Sequence, residues 1–99
     1  MRIRFDWNDN GKGYLEYDTD KLIKEMKLAR FKKWAELFAK YGTKEQHDTV
    51  LSLIKVCYQE EYEWLNLNLS LKDDKAVKAT EKRMHFYNRK YEILLGLIQ

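Results

Sequence analysis

The run Asp6-Trp7-Asn8-Asp9-Asn10-Gly11 comes nearest, in residue type and spacing, to a metal site. Oxygen ligands at loop positions 1, 3 and 5 with glycine at 6 form the opening half of an EF-hand calcium loop. The second half departs from that pattern. Position 8, normally apolar, is Gly13, and position 12, which needs a bidentate glutamate, is Tyr17, with Glu16 one residue early. The residues before the loop alternate like a strand rather than a helix. The same letters make an Asn/Asp/Gly hairpin turn, because Asn and Gly tolerate positive φ. The turn is the reading adopted, and no metal or cofactor is expected.

Catalytic chemistry finds little to work with. His47 falls in the first turn of a helical segment. His85 lies on a polar arc one turn after Glu81, a spacing common to ordinary surface helix pairs. Cys57 has no histidine within its own turn and lies on an apolar face, so it reads as a small core residue. The Glu-x-x-His pairs of carboxylate-bridged di-iron bundles are missing, as is a glycine-rich phosphate loop. The expectation is a protein that is not an enzyme.

Charges on apolar arcs are more informative. Glu61 lies among Cys57, Tyr58, Trp64 and Leu65. Arg83 and Lys90 lie seven apart on the apolar arc of the last helical segment. A helix turn near Leu71 sets Glu61 and Arg83 at nearly the same height, which predicts an ion pair across the interface, with Arg30 as a rival partner. A carboxylate there needs such a partner to stay charged.

The elements that position these residues follow from periodicity. Ile3, Phe5 and Trp7 alternate with Arg2, Arg4 and Asp6, a strand pattern. Tyr14 to Tyr17 supplies the return strand, and the Ile3/Phe5/Trp7 face should lie on the helices, since a lone hairpin is marginal in water. Thr19 or Asp20 caps a first helix that stops at Gly42. Its inward face collects Leu22, Ile23, Met26, Ala29, Phe31, Trp34, Leu37, Phe38 and Tyr41. Thr43 to Gln46 is a capping box opening the second helix, and Ser70 to Asp73 is the matching start of the third. Val77, Met84, Phe86, Tyr87, Tyr91, Leu94, Leu95 and Ile98 face inward on that last helix. The fold expected is mainly α: a short N-terminal β-hairpin (1–18) packed on an antiparallel three-helix bundle (19–42, 43–69, 70–99), all one domain.

The second of these helices is unusual. From Val50 to Leu71 its polar stripe is narrow: Ser52, Lys55, Gln59, Glu63 and Asn66. A helix so apolar around its circumference needs cover on two or three sides. It is therefore the central helix of the bundle, or it meets a second subunit.

Composition bounds the rest. The 99 residues include no proline and one cysteine, which excludes a disulfide framework and fits a reducing compartment. The start, MRIRFDW, lacks a signal peptide's apolar run, and no stretch approaches the ~18 apolar residues of a membrane span. A soluble cytoplasmic protein is expected. The net charge of +3 divides unevenly. It is −1 over 1–18, +4 over 19–42, −3 over 43–71 and +3 over 72–99. An acidic helix between two basic ones is self-complementary and helps the bundle choose its pairing.

Three Trp, seven Tyr and four Phe are many for a core this size. Interfaces favour Trp, Tyr and Arg, which makes Trp34, Tyr58, Trp64 and Tyr91 candidate partner-binding residues. The function expected is a protein-binding or self-associating module, such as a small adaptor or an inhibitor of a larger machine, with a homodimer allowed. The alternative is nucleic-acid binding through Arg2, Arg4, Lys21, Lys24, Lys27 and Lys33.

Overall fold

The structure, a computed structural model, describes residues 1–7 and 13–99. The chain runs through β1 (Arg2–Asp6), β2 (Tyr14–Asp18), a π-helical turn (Lys21–Glu25), α1 (Leu28–Tyr41), α2 (Lys44–Ser70) and α3 (Asp74–Ile98). It is mainly α, with a two-stranded antiparallel hairpin packed against the helices.

Ile3 stands opposite Tyr17 and Phe5 opposite Leu15. That register turns all four toward the helices; Ile3 and Phe5 are buried, Leu15 and Tyr17 half-buried. Trp7, expected on the same face, is exposed. It lies one residue past β1, where the inward line ends. Gln46 ties the hairpin down by donating from Nε2 to Arg4 O (2.8 Å).

The segment expected as one helix from 19 to 42 is two pieces. Met26 and Lys27 are extended, which ends the π-turn before α1 begins. Met26 N–H reaches Lys21 O at 2.8 Å, and the carbonyls of Leu22 and Ile23 are left to find other donors. The expected cap at Thr19 or Asp20 is replaced by Asp18, whose Oδ1 accepts Asp20 N–H at 2.9 Å. That hydrogen bond is the main reason its carboxyl titrates below the usual range. Ala29, expected inward, is exposed.

Gly42 caps α1, and a side chain is excluded there on steric grounds: a Cβ would lie 2.7 Å from the Phe38 ring. Thr43 and Gln46 form the reciprocal capping box at the start of α2, each accepting the other's backbone N–H at 3.1 Å. The start expected for α3 at Ser70 shifts to Asp73, whose Oδ1 accepts Ala76 N–H. Ser70 is instead the last residue of α2. The turn between them is a Schellman motif, with Asp73 N–H on Asn68 O and Lys72 N–H on Leu69 O.

The central helix is α3, which packs against α2, α1 and the π-turn. α2, expected at the centre, shares its main interface with α3 alone. It meets α1 near their common turn, where His47 packs edge-on to Phe38. Length explains the arrangement. At 1.5 Å per residue α1 covers about 21 Å, whereas α2 reaches about 40 Å. The molecule measures 55 × 23 × 20 Å, so α1 leaves the far part of the α2/α3 pair uncovered.

The contiguous core joins Ile3, Phe5, Leu22, Ile23, Phe31, Trp34, Phe38 and Val50 and ends on α2 at Cys57. On α3 it is carried by Phe86, Tyr87, Leu94 and their neighbours. Two regions result: a body around that core, and an arm made of Tyr58–Ser70 with Asp74–Met84 and the turn between them.

Candidate functional site

The arm is built with its polar residues inside and many of its apolar residues outside. Where α2 meets α3, Asn68 Nδ2 donates to Thr80 Oγ1 (3.2 Å), and Thr80 donates to Ala76 O (2.8 Å). Arg83 Nε lies 3.0 Å from Glu61 Oε2, and an Arg83 terminal nitrogen reaches Thr80 Oγ1 at 3.3 Å. The Glu61–Arg83 contact is one of charge rather than an aligned hydrogen bond, since Glu61 Oε2 accepts no well-directed N–H. Glu61 is mostly covered and Arg83 half exposed. Leu65 and Met84 share this seam, lining the same shallow cleft with Tyr58 and His85.

The large apolar side chains face away from it. Trp64 is 56% exposed, Leu67 46% and Leu71 67%. Spacings of three and four residues put these three on one stripe of α2. Tyr58, Tyr62 and Leu69, also exposed, follow a second stripe with half-buried Leu65. Val56 is exposed below the first. The same spacing of apolar residues in the body would be core, because there the hairpin, the π-turn and α1 supply the cover.

At the base of the arm a groove of about 270 Å³ lies between α2 and α3, lined by Ile54, Lys55, Tyr58, Gln59, Tyr87, Asn88 and Tyr91. Lys55 Nζ stands 5.2 Å from the Tyr91 ring centre. Burial pushes the Tyr87 phenol above its ordinary pKa, and the Glu61 carboxylate adds to the effect.

The four aromatic partner candidates therefore separate. Trp64 and Tyr58 are on the arm's surface, and Tyr91 is half-buried on the groove wall. Trp34 is a core residue: it is 3% exposed, stacked on Phe38 at 4.5 Å, and has no face to offer a partner. Its position on the inward arc of α1 already placed it there.

The nucleic-acid candidates are dispersed. Arg2 is paired with Glu16 at 2.9 Å, and Arg4 lies over the Tyr14 ring at 4.0 Å. Lys21 and Lys27 line a cleft of about 510 Å³ with Arg30, Tyr17, Met26 and Glu25. Lys24 and Lys33 are exposed elsewhere on the surface. Arg30 does not reach Glu61.

Lys90 is the residue whose role sequence reasoning missed, although its place on the apolar arc was visible. It is fully buried, and its ammonium donates to Leu22 O (2.8 Å) and Ile23 O (2.7 Å). These are the carbonyls freed where the first helix breaks. The Phe86 and Phe31 rings cover it, with centres 4.1 and 5.2 Å from Nζ. Burial pulls its pKa down to about 8.

His47 Nε2 donates to Phe38 O at 2.7 Å, a structural bond that leaves this histidine tied to the end of α1. Burial raises the Cys57 thiol, which keeps it protonated and weakly nucleophilic. Among the described residues no group of three or more His, Cys, Asp or Glu could hold a metal ion. Most of the calcium-like run, Asn8 to Gly11, lies outside the described residues. Glu16, its nearest later carboxylate, is held by Arg2. No described helix is long and apolar enough to cross a membrane. No family model matches the chain, and no curated protein or solved structure matches it either.

Proposed function

We propose that this protein is a non-enzymatic binding module that works by covering the apolar surface of its arm with another protein or with itself. A small adaptor or an inhibitor of a larger machine fits that role, and a cytoplasmic setting suits its single reduced thiol. The observation that carries the reading is the exposure of Trp64, Leu67 and Leu71 on one stripe of a helix whose inner seam is polar. Contiguous exposed apolar patches on small proteins mark interaction sites. The bonded state of His47 and the raised thiol of Cys57 support a role other than catalysis.

The test is a tagged pull-down from source-cell lysate with wild type and Leu67→Glu, each with and without nuclease. The expected result is a protein retained by wild type in both treatments and lost with Leu67→Glu. Recovery of nucleic acid, with proteins lost after nuclease, would move the assignment to the basic cleft of Lys21, Lys27 and Arg30.

A further inference from the structure

We infer that the occupant of the arm is a second copy of the same arm, so that two α2/α3 pairs close into a four-helix bundle. This rests on the binding-module reading above and names its partner. The first argument is charge. Glu61 and Arg83 already pair with each other within the chain, so the acidic side chains α2 has left for a partner from Gln59 onward are Glu60 and Glu63, with no cation among them. From Lys72 to Lys82 the turn and the start of α3 carry Lys72, Lys75, Lys78 and Lys82 against Asp73, Asp74 and Glu81. An arm with one acidic and one basic helix is complementary to itself when the α2 of each copy lies against the α3 of the other. An unrelated partner would need to match both helices separately. A two-fold pair makes both matches with one surface.

The second argument is what the arm lacks. A two-helix pair normally buries an apolar stripe from each helix, whereas this seam gives much of its length to Glu61, Asn68, Thr80 and Arg83, with Leu65 and Met84 as its main apolar members. Apposing two arms brings Trp64, Leu67 and Leu71 from the two α2 helices into a common interior, edged by the two α3 helices.

The third is area. From Tyr58 to Leu71 the face is ~21 Å long and two helices, about 20 Å, wide. That offers roughly 420 Å² a side, in the range of weak, transient pairs rather than stable dimers. The dimer should therefore be weak and depend on concentration, forming over about 10–100 µM.

Sedimentation velocity of the full chain from 5 to 500 µM tests this, with circular dichroism of each variant to establish that it folds. The expected result is a monomer–dimer equilibrium, weakened at least tenfold by Leu67→Glu and by Trp64→Glu. A second pair of variants tests the apposition itself. Glu60→Lys with Glu63→Lys, and Lys75→Glu with Lys78→Glu, should each weaken self-association, and mixing the two chains should restore it. A monomer throughout the range, a dimer indifferent to Leu67→Glu, or no restoration on mixing would each overturn the inference. If the wild type stays monomeric while the pull-down still yields a protein lost with Leu67→Glu, the binding module stands and only the choice of partner falls. If both experiments are blank, both fall.

Discussion

The body and the arm share two helices and invert each other's chemistry. In the body, aromatic rings stack in a sealed core and the buried charge of Lys90 has its acceptors supplied by backbone. In the arm, the seam is polar and the large apolar side chains face outward. The body is closed around its own core, whereas the arm leaves most of its large apolar side chains exposed. The difference arises from a simple mismatch: α1 ends before it can cover the length of the helices it packs against.

Paired truncations test that contrast most strongly. Phe38→Ala removes a fully buried ring that stacks on Trp34 and takes His47 on its edge, and should cost ~3–5 kcal/mol. Leu67→Ala, on the exposed stripe, should stay within about 0.5 kcal/mol for the dilute monomer. Urea unfolding at low micromolar concentration reads both. Similar losses for the two would mean that the arm has a core of its own.

Lys90 gives the next largest effect and a signature in pH. Lys90→Met keeps the volume but leaves Leu22 O and Ile23 O without their donor, at an expected cost of ~2–4 kcal/mol at pH 7. The folded pKa of about 8 lies below the ordinary lysine value of 10.5, so the unfolded chain binds more protons between them. Stability contributed by this group therefore rises with pH through that window, by ~1 kcal/mol per unit at most. Cys57 and Tyr87, whose pKa values are raised, act in the opposite sense as pH climbs past their unfolded values of 9 and 10. The clean comparison is between pH 8 and 9. There the urea midpoint of wild type should rise while that of Lys90→Met falls slightly, through the raised thiol of Cys57. A wild type that is flat over the same interval would mean that the two carbonyls hold the ammonium charged.

Glu61 lies in the arm one turn past Cys57, where the body's core ends. Because Arg83 is half exposed and can hydrate its own charge, Glu61→Ala should cost about 1 kcal/mol or less. The phenol of Tyr87 should titrate at lower pH in that variant, since the nearby carboxylate is one cause of its elevation. A spectrophotometric titration that shows no difference would place Glu61 out of electrostatic reach of the body.

What the sequence disclosed, and what it hid, follows the range of the interactions. The capping box of Thr43 and Gln46 is a contact between residues three apart, so its letters suffice. The inward alternation of Ile3 and Phe5 is equally local. The break at Met26 and Lys27 carries no proline or glycine to announce it, because what satisfies the freed carbonyls is Lys90, more than sixty residues away. The apolar circumference of α2 was plain, but which part is covered depends on where α1 ends in space. Its periodicity alone allowed α2 to be the central helix or to meet a second subunit; α3 holds the centre, and α2 is left with an exposed face. For the candidate site the consequence is direct. Trp64 and Trp34 look alike as tryptophans on apolar arcs, and only packing separates the exposed one from the buried one.

The smallest expected effect asks whether the arm folds with the body or after it. Lys72 holds φ at 56°, the left-handed conformation that a side chain resists by ~1–2 kcal/mol and that glycine adopts freely. Glycine gives back part of that through its freer unfolded chain, so Lys72→Gly should stabilise by ~0.5–1 kcal/mol. If body and arm unfold as one unit, the gain appears in the global urea midpoint and in the exchange of buried amides in both regions. If the arm opens by itself, amides near Asn68 and Thr80 slow their exchange while those around Phe38 and Val50 do not change. The second pattern would make the arm a separate, less stable unit that opens while the body stays folded.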